Sequence, residues 1–63
     1  MNIWIDDKRV RIFKGATAGD ALRRFSEALY RQVAAGEKQL LNGHGHEVAL
    51  SGELSENQRF HTK

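Results

Sequence analysis

Apolar and polar residues alternate with a period of two from Asn2 to Asp6. Ile3 and Ile5 fall on one side; Asn2, Trp4 and Asp6 fall on the other. This is the pattern of a half-buried strand. Asp7-Lys8 can turn the chain, and Val10 and Ile12 then resume the apolar side, with Arg9, Arg11 and Phe13 opposite. The segment Asn2–Phe13 therefore reads as a hairpin with one greasy face.

The period then changes. Ala18, Ala21, Leu22, Phe25, Ala28, Leu29 and Val33 recur at helical spacing, which predicts one amphipathic helix from Ala18 to Ala35. Thr17 is its N-cap, and Asp20, three residues on, can close a capping box and complement the helix dipole. Gly36 is the expected stop, because glycine enters the left-handed region without a Cβ clash. Gly19 reads as a mild defect in the first turn. Asp20 with Arg24 and Glu27 with Arg31 are expected i,i+4 pairs, each worth about 0.3 kcal/mol. Arg23, Arg24 and Arg31 read as a solvated helix face.

The remainder, Gln39–Thr62, reads as three short strands. Gln39-Leu40-Leu41 is followed by the turn signal Asn42-Gly43, then Glu47-Val48-Ala49-Leu50, then a second turn at Ser51-Gly52. Leu54 stands alone in a polar loop, as a plug at the core edge does. Glu56-Asn57-Gln58 is a tight turn in which Asn57 can take positive φ. The last strand, Arg59–Thr62, has Phe60 as its one apolar anchor. The predicted order is β-β-α-β-β-β. A helix of this length spans about 26 Å and covers one side of a four-stranded sheet, so the other side faces water or a partner.

Composition narrows the chemistry. Sixty-three residues allow one domain, 1–63, with one small core that buries only about 60% of the surface the unfolded chain exposes. Cysteine is absent, which excludes disulfides, thiolate metal sites, cysteine-held iron–sulfur clusters and thiol catalysis and fits a cytoplasmic protein. The first residues lack the basic-then-apolar pattern of a signal peptide. No stretch approaches the ~20 apolar residues of a membrane span, so no membrane association is expected. A formal charge of +2 does not by itself mark a nucleic-acid binder.

Three stretches carry a family resemblance. Ile3-Trp4-Ile5-Asp6-Asp7-Lys8-Arg9-Val10 is similar to the first hairpin of the β-grasp, or ubiquitin-like, superfamily. Gly15-Ala16-Thr17-Ala18-Gly19-Asp20-Ala21-Leu22 resembles its G-x-T-x-x-D-A-L approach to the helix. Asn42-Gly43-His44-Gly45-His46-Glu47-Val48, with Leu54-Ser55-Glu56-Asn57-Gln58-Arg59-Phe60, resembles the later hairpin and the L-x-D-G-D turn before the last strand. Within that superfamily the chain is most similar to small sulfur carriers of thiamin and molybdopterin synthesis and to TGS-type domains. The resemblance implies an α+β fold, a mixed four- to five-stranded sheet with one helix packed on one face. Sulfur carriers act through a terminal Gly-Gly, whereas Phe60-His61-Thr62-Lys63 offers no match to either glycine. Asn57 stands where the turn glycine would be. What the resemblance leaves is binding, to a protein or, as proposed for TGS-like domains, to RNA.

The expected interface is the open side of the sheet. Trp4, Arg9, Arg11, Phe13, Arg59 and His61 are assigned to it, two aromatics among basic groups of the kind enriched at contact sites. A protein partner or self-association is the first reading. Single-stranded nucleic acid stacked on Trp4 is the second. The plainest alternative is that Trp4 only covers the sheet. His44 and His46, spaced i,i+2 beside Glu47, could share one side of an extended stretch and hold a metal weakly. Gly43 and Gly45 make that stretch a mobile turn with no third fixed ligand, so no metal site is assigned. No cofactor and no catalytic residue is assigned either, and the chain is read as non-enzymatic.

Overall fold

A computed structural model describes all residues, 1–63. Strands β1 (Asn2–Ile5) and β2 (Lys8–Arg11) form the first hairpin. Two helices follow, α1 (Ala18–Phe25) and α2 (Glu27–Ala34), then β3 (Leu40–Asn42) and β4 (Arg59–Thr62). The four strands make one mixed sheet in the order β2-β1-β4-β3. The central pair, β1 and β4, is parallel, and both outer pairs are antiparallel. Both helices lie on one face. The fold is α+β, in a β-grasp-like arrangement.

The first hairpin turns one residue earlier than the expected Asp7-Lys8. Asp6 and Asp7 have φ of 49° and 67°, and Ile5 pairs with Lys8. Of the two-residue turns that match strand twist, type I′ has both central residues at positive φ. Aspartate tolerates that region better than lysine does. The apolar face survives the change: Ile3, Ile5, Val10 and Ile12 are all buried.

The expected single helix is two. Ser26 breaks it with extended backbone at φ −162°, ψ 115°. Its N–H closes α1 on the Leu22 carbonyl at 2.8 Å, while its Oγ accepts from the Leu29 N–H at 3.2 Å and caps α2. One serine thus serves as the stop of one helix and the N-cap of the next, and Glu27 places an acid in the new first turn. The other ends match the sequence reading. The Thr17–Asp20 capping box is closed in both directions, at 3.0 and 3.2 Å. Beyond α2, Gly36 sits at φ 81°; the Gly36 N–H reaches the Val33 carbonyl and the Glu37 N–H reaches Gln32. Those two bonds satisfy two of the orphan carbonyls at the end of α2, those of Val33 and Gln32.

Glu47–Leu50, expected as a strand, forms none. Its pairing stops at a single bridge, Leu41 with Glu47, and one bond from the Val48 N–H to Leu40. The chain then bends toward the start of α1. The Leu50 carbonyl accepts from the Gly19 N–H at 2.8 Å, and the Gly52 carbonyl accepts from the Ala18 N–H at 2.9 Å. A helix start has four N–H groups with no internal partner. Here the capping box takes two, those of Thr17 and Asp20, and the 50–52 loop takes the other two, so this loop's acceptors are spent on the helix rather than on a fifth strand.

The same contact explains Gly19. A Cβ there would lie 3.1 Å from the Leu50 carbonyl oxygen and 3.3 Å from the Leu50 Cβ. The residue that reads as a defect in the helix is the one that lets the loop approach.

The core comprises Ile3, Ile5, Val10, Ile12, Ala16, Ala18, Ala21, Leu22, Leu40 and Phe60. Phe60 is the anchor of β4, at 1% exposure. Leu54 packs against the core edge, with Phe25, Leu29, Val33, Val48 and Leu50. Ala28, expected in the apolar stripe, is exposed, because the break at Ser26 resets the helical phase. No helix is long and apolar enough to cross a membrane.

Candidate interface on the open face of the sheet

Strand register settles which side chains share the uncovered face. Trp4 pairs with Arg9 on β2 and with Arg59 on β4, so these three residues stand in one row across three strands. Side chains directly opposite across paired strands lie on the same side. Asn2 opposite Arg11, and His61 opposite Leu41, add flanking rows. Trp4 is half-buried, while Arg9, Arg11, Arg59 and His61 are exposed.

The Arg59 guanidinium lies 5.1 Å from the centre of the Trp4 ring. That is within cation–π range, worth about 0.5–1 kcal/mol at an exposed site. The arginine orders the indole and covers part of its face. None of the strand residues on this side is acidic; at its margin Asp6 lies near His61 and the Glu56 carboxylate accepts from the Asn2 N–H. The nearest acid along β3's outer flank is Glu47, bridged to Leu41. The face is therefore basic around an aromatic centre.

Phe13 does not join that row. β2 ends at Arg11, and Phe13 lies two residues further on, 62% exposed. It lines a groove beside α1 together with Met1, Arg11, Ile12, Asp20, Arg23 and Arg24. Arg24 does not pair with Asp20 there. Its Nε donates to the Arg11 carbonyl at 2.9 Å, while the Asp20 carboxylate is held by the Thr17 N–H. The Glu27–Arg31 pair does form, at 3.2 Å, with both side chains well exposed.

Leu41 is the residue on the open face that sequence reasoning leaves out. In the run Gln39-Leu40-Leu41 only one leucine can face the core. Leu40 does, at 1% exposure, and Leu41 turns half-buried to the other side beside His61. The signal was the alternation itself.

Asp6, at the end of β1, locks the central strands together. Its carboxylate accepts from the Thr62 hydroxyl at 2.6 Å and from the Thr62 N–H at 2.9 Å. Partial burial pushes the Asp6 carboxyl up. The two Thr62 hydrogen bonds, with His61 and Lys38 nearby, together outweigh it and hold the group below its usual 3.8.

His44 and His46 are exposed in the β3 turn. Their backbone N–H groups, not their rings, are engaged, both by the Asn42 side-chain oxygen at 2.8 and 3.0 Å. No three His, Asp or Glu side chains converge to form a metal cage. At the other end of the sheet Lys63 remains in the ladder, exchanging two backbone bonds with Gln39 at 2.9 Å.

No protein-family model matches the chain, and no curated protein or solved structure matches it either.

Proposed function

We propose that this chain is a small non-catalytic binding module that docks the open face of its sheet onto an acidic surface of a partner protein. The observation that carries the reading is the row Arg9–Trp4–Arg59, an aromatic side chain flanked by two arginines, with no acidic residue among the strand residues of that face. Tryptophan and arginine dominate the energetics of protein interfaces. Unscreened positive charge at the rim selects acidic partners and speeds encounter.

Two alternatives use the same face and are weaker on physical grounds. Self-association face to face sets the arginines of one copy against those of the other, a repulsive arrangement. Single-stranded nucleic acid needs a free ring face for base stacking, and Arg59 already lies over the Trp4 ring. The sulfur-carrier resemblance sharpens the first reading into a degenerate carrier, whose partner is an enzyme that ordinarily holds a carrier. Such a chain is expected to show no adenylate by mass spectrometry after incubation with ATP and an activating enzyme.

The test is site-specific photocrosslinking in cells, with the crosslinker at position 59 and, as a control, at Ala34 on the helical side. A covalent adduct to one protein from position 59 alone supports the reading. A nuclease-sensitive adduct, a chain-to-chain dimer, or equal labelling from both positions overturns it.

A further inference from the structure

The two edges of the sheet are not alike. β3 is flanked by the 46–48 segment through the Asn42–His46 and Val48–Leu40 backbone bonds and the Leu41–Glu47 bridge. β2 has no such cover. Its hydrogen-bond phase follows from the end of the hairpin, where Met1 and Ile12 exchange both backbone bonds, at 2.8 and 2.9 Å. Antiparallel pairs alternate between bonded and non-bonded residues. Ile3–Val10 and Ile5–Lys8 are then the bonded pairs, and the backbone groups of Arg9 and Arg11 point outward. One of them, the Arg11 carbonyl, is occupied by the Arg24 side chain at 2.9 Å. The Arg9 N–H, the Arg9 carbonyl and the Arg11 N–H have no protein partner. This is a strand edge with a vacant half-ladder, and a long side chain stands where a fourth partner group would bond.

We infer that the outer edge of β2 receives an extended, acidic segment of a partner protein as an added strand, with an apolar residue of that segment on Phe13 and its carboxylates on the groove arginines. Backbone pairing to a free edge supplies affinity, and side-chain contacts supply choice. The charge around the edge sets that choice. Lys8, Arg9 and Arg11 are on the strand, and Arg23 and Arg24 are across the groove. The one acid in the groove, Asp20, is already engaged by the helix N-cap. Phe13, the one large apolar side chain that is exposed, stands at the end of the edge. An incoming N–H at the Arg11 carbonyl displaces Arg24 and frees its guanidinium for a carboxylate of the same segment. A second copy of this chain is a poor occupant, because β2 against β2 sets arginine opposite arginine. The edge is distinct from the open-face docking proposed above: it uses the backbone of Arg9 and Arg11 and the α1 groove, not Trp4.

The probes are short acetylated peptides in which β-branched residues alternate within an aspartate-flanked run. The controls are a peptide of equal charge with prolines at alternate positions, a lysine-flanked version, and a short single-stranded oligonucleotide. Binding of the aspartate peptide to the full chain is expected to slow amide hydrogen exchange at Arg9 and Arg11 by about tenfold or more. Its affinity is expected to fall about fivefold or more in F13A and again in the R23Q/R24Q double variant. All three positions are exposed, so these variants keep the core intact. Four results overturn the inference: no binding of the aspartate peptide; equal binding of the proline peptide; protection of the same amides by the oligonucleotide alone; or shifts at the Trp4 indole and His61 ring with Arg9 and Arg11 exchange unchanged. The last would transfer the peptide to the open face, so the two proposals fail separately.

Discussion

α1 and α2 are the same length, each N-capped by a hydroxyl residue, yet they do different work. α1 buries Ala18, Gly19, Ala21 and Leu22, whereas α2 buries no residue fully. Leu29, Tyr30 and Val33 of α2 only lean on the core margin, and Tyr30 receives the Arg23 guanidinium at 4.4 Å from its ring centre. The fully buried core is drawn from the strands, α1 and the segments that join them, whereas α2 and the 43–52 loop add only half-buried side chains at its margin. Amphipathic patterning alone did not separate the two, because a partly buried stripe has the same period as a buried one.

The sharpest break of that contrast is a pair of leucines. Leu22→Ala removes a fully buried side chain and is expected to cost about 3 kcal/mol, while Leu29→Ala, at the margin, costs about 1 kcal/mol. Urea unfolding of both variants checks it, and equal losses would dissolve the distinction between the helices.

Glycine gives the next test. Helix propensity alone favours Gly19→Ala by about 1 kcal/mol. Because the new Cβ meets the Leu50 backbone, we expect a net loss of about 1 kcal/mol instead. A stabilised Gly19→Ala protein would show that the 50–52 loop yields freely and does not hold the start of α1.

Acid probes the central strands. The Asp6 carboxyl is depressed by its bonds to Thr62. The stabilisation it brings is complete above the unfolded-state pKa of about 3.9 and is lost as pH falls through the lower folded value. Stability should fall across that acid range in the native protein and lose this component in Asp6→Asn. Carboxyl chemical shifts followed through the titration locate the step.

The smallest effect belongs to α2. Glu27→Ala or Arg31→Ala removes an exposed i,i+4 pair and should change stability by about 0.3 kcal/mol, shrinking further in high salt. A loss near that of Leu22→Ala would mean that α2 contributes as much to stability as α1 does.

Much of the fold was legible because its determinants are local. Ile3, Ile5, Val10, Ile12 and Phe60 alternate with polar residues, and alternation assigns faces without tertiary information. Thr17 with Asp20, Gly36, and Asn57 at φ 63° are conformational choices written into single side chains. Ser26-Glu27 carried a helix-start signature too, masked by an apolar stripe that runs through it. The open-face row was legible for Trp4, Arg9 and Arg59. Phe13 lies two residues past the end of β2, where strand alternation no longer assigns a face.

By itself, then, the order of residues determined the first hairpin, the last strand, the buried face of each strand, the outer caps of the helical segment and the absence of thiol chemistry, because each of these depends on a few neighbours along the chain. Tertiary structure decided the rest. The 47–50 segment gave up its strand because the orphan N–H groups of α1 compete for its carbonyls. Gly19 became a contact because a loop distant in sequence arrives there. The edge of β2 stayed free because flanking chain covers β3 instead. Those outcomes depend on which backbone groups meet across space, and no periodicity along the chain encodes that meeting.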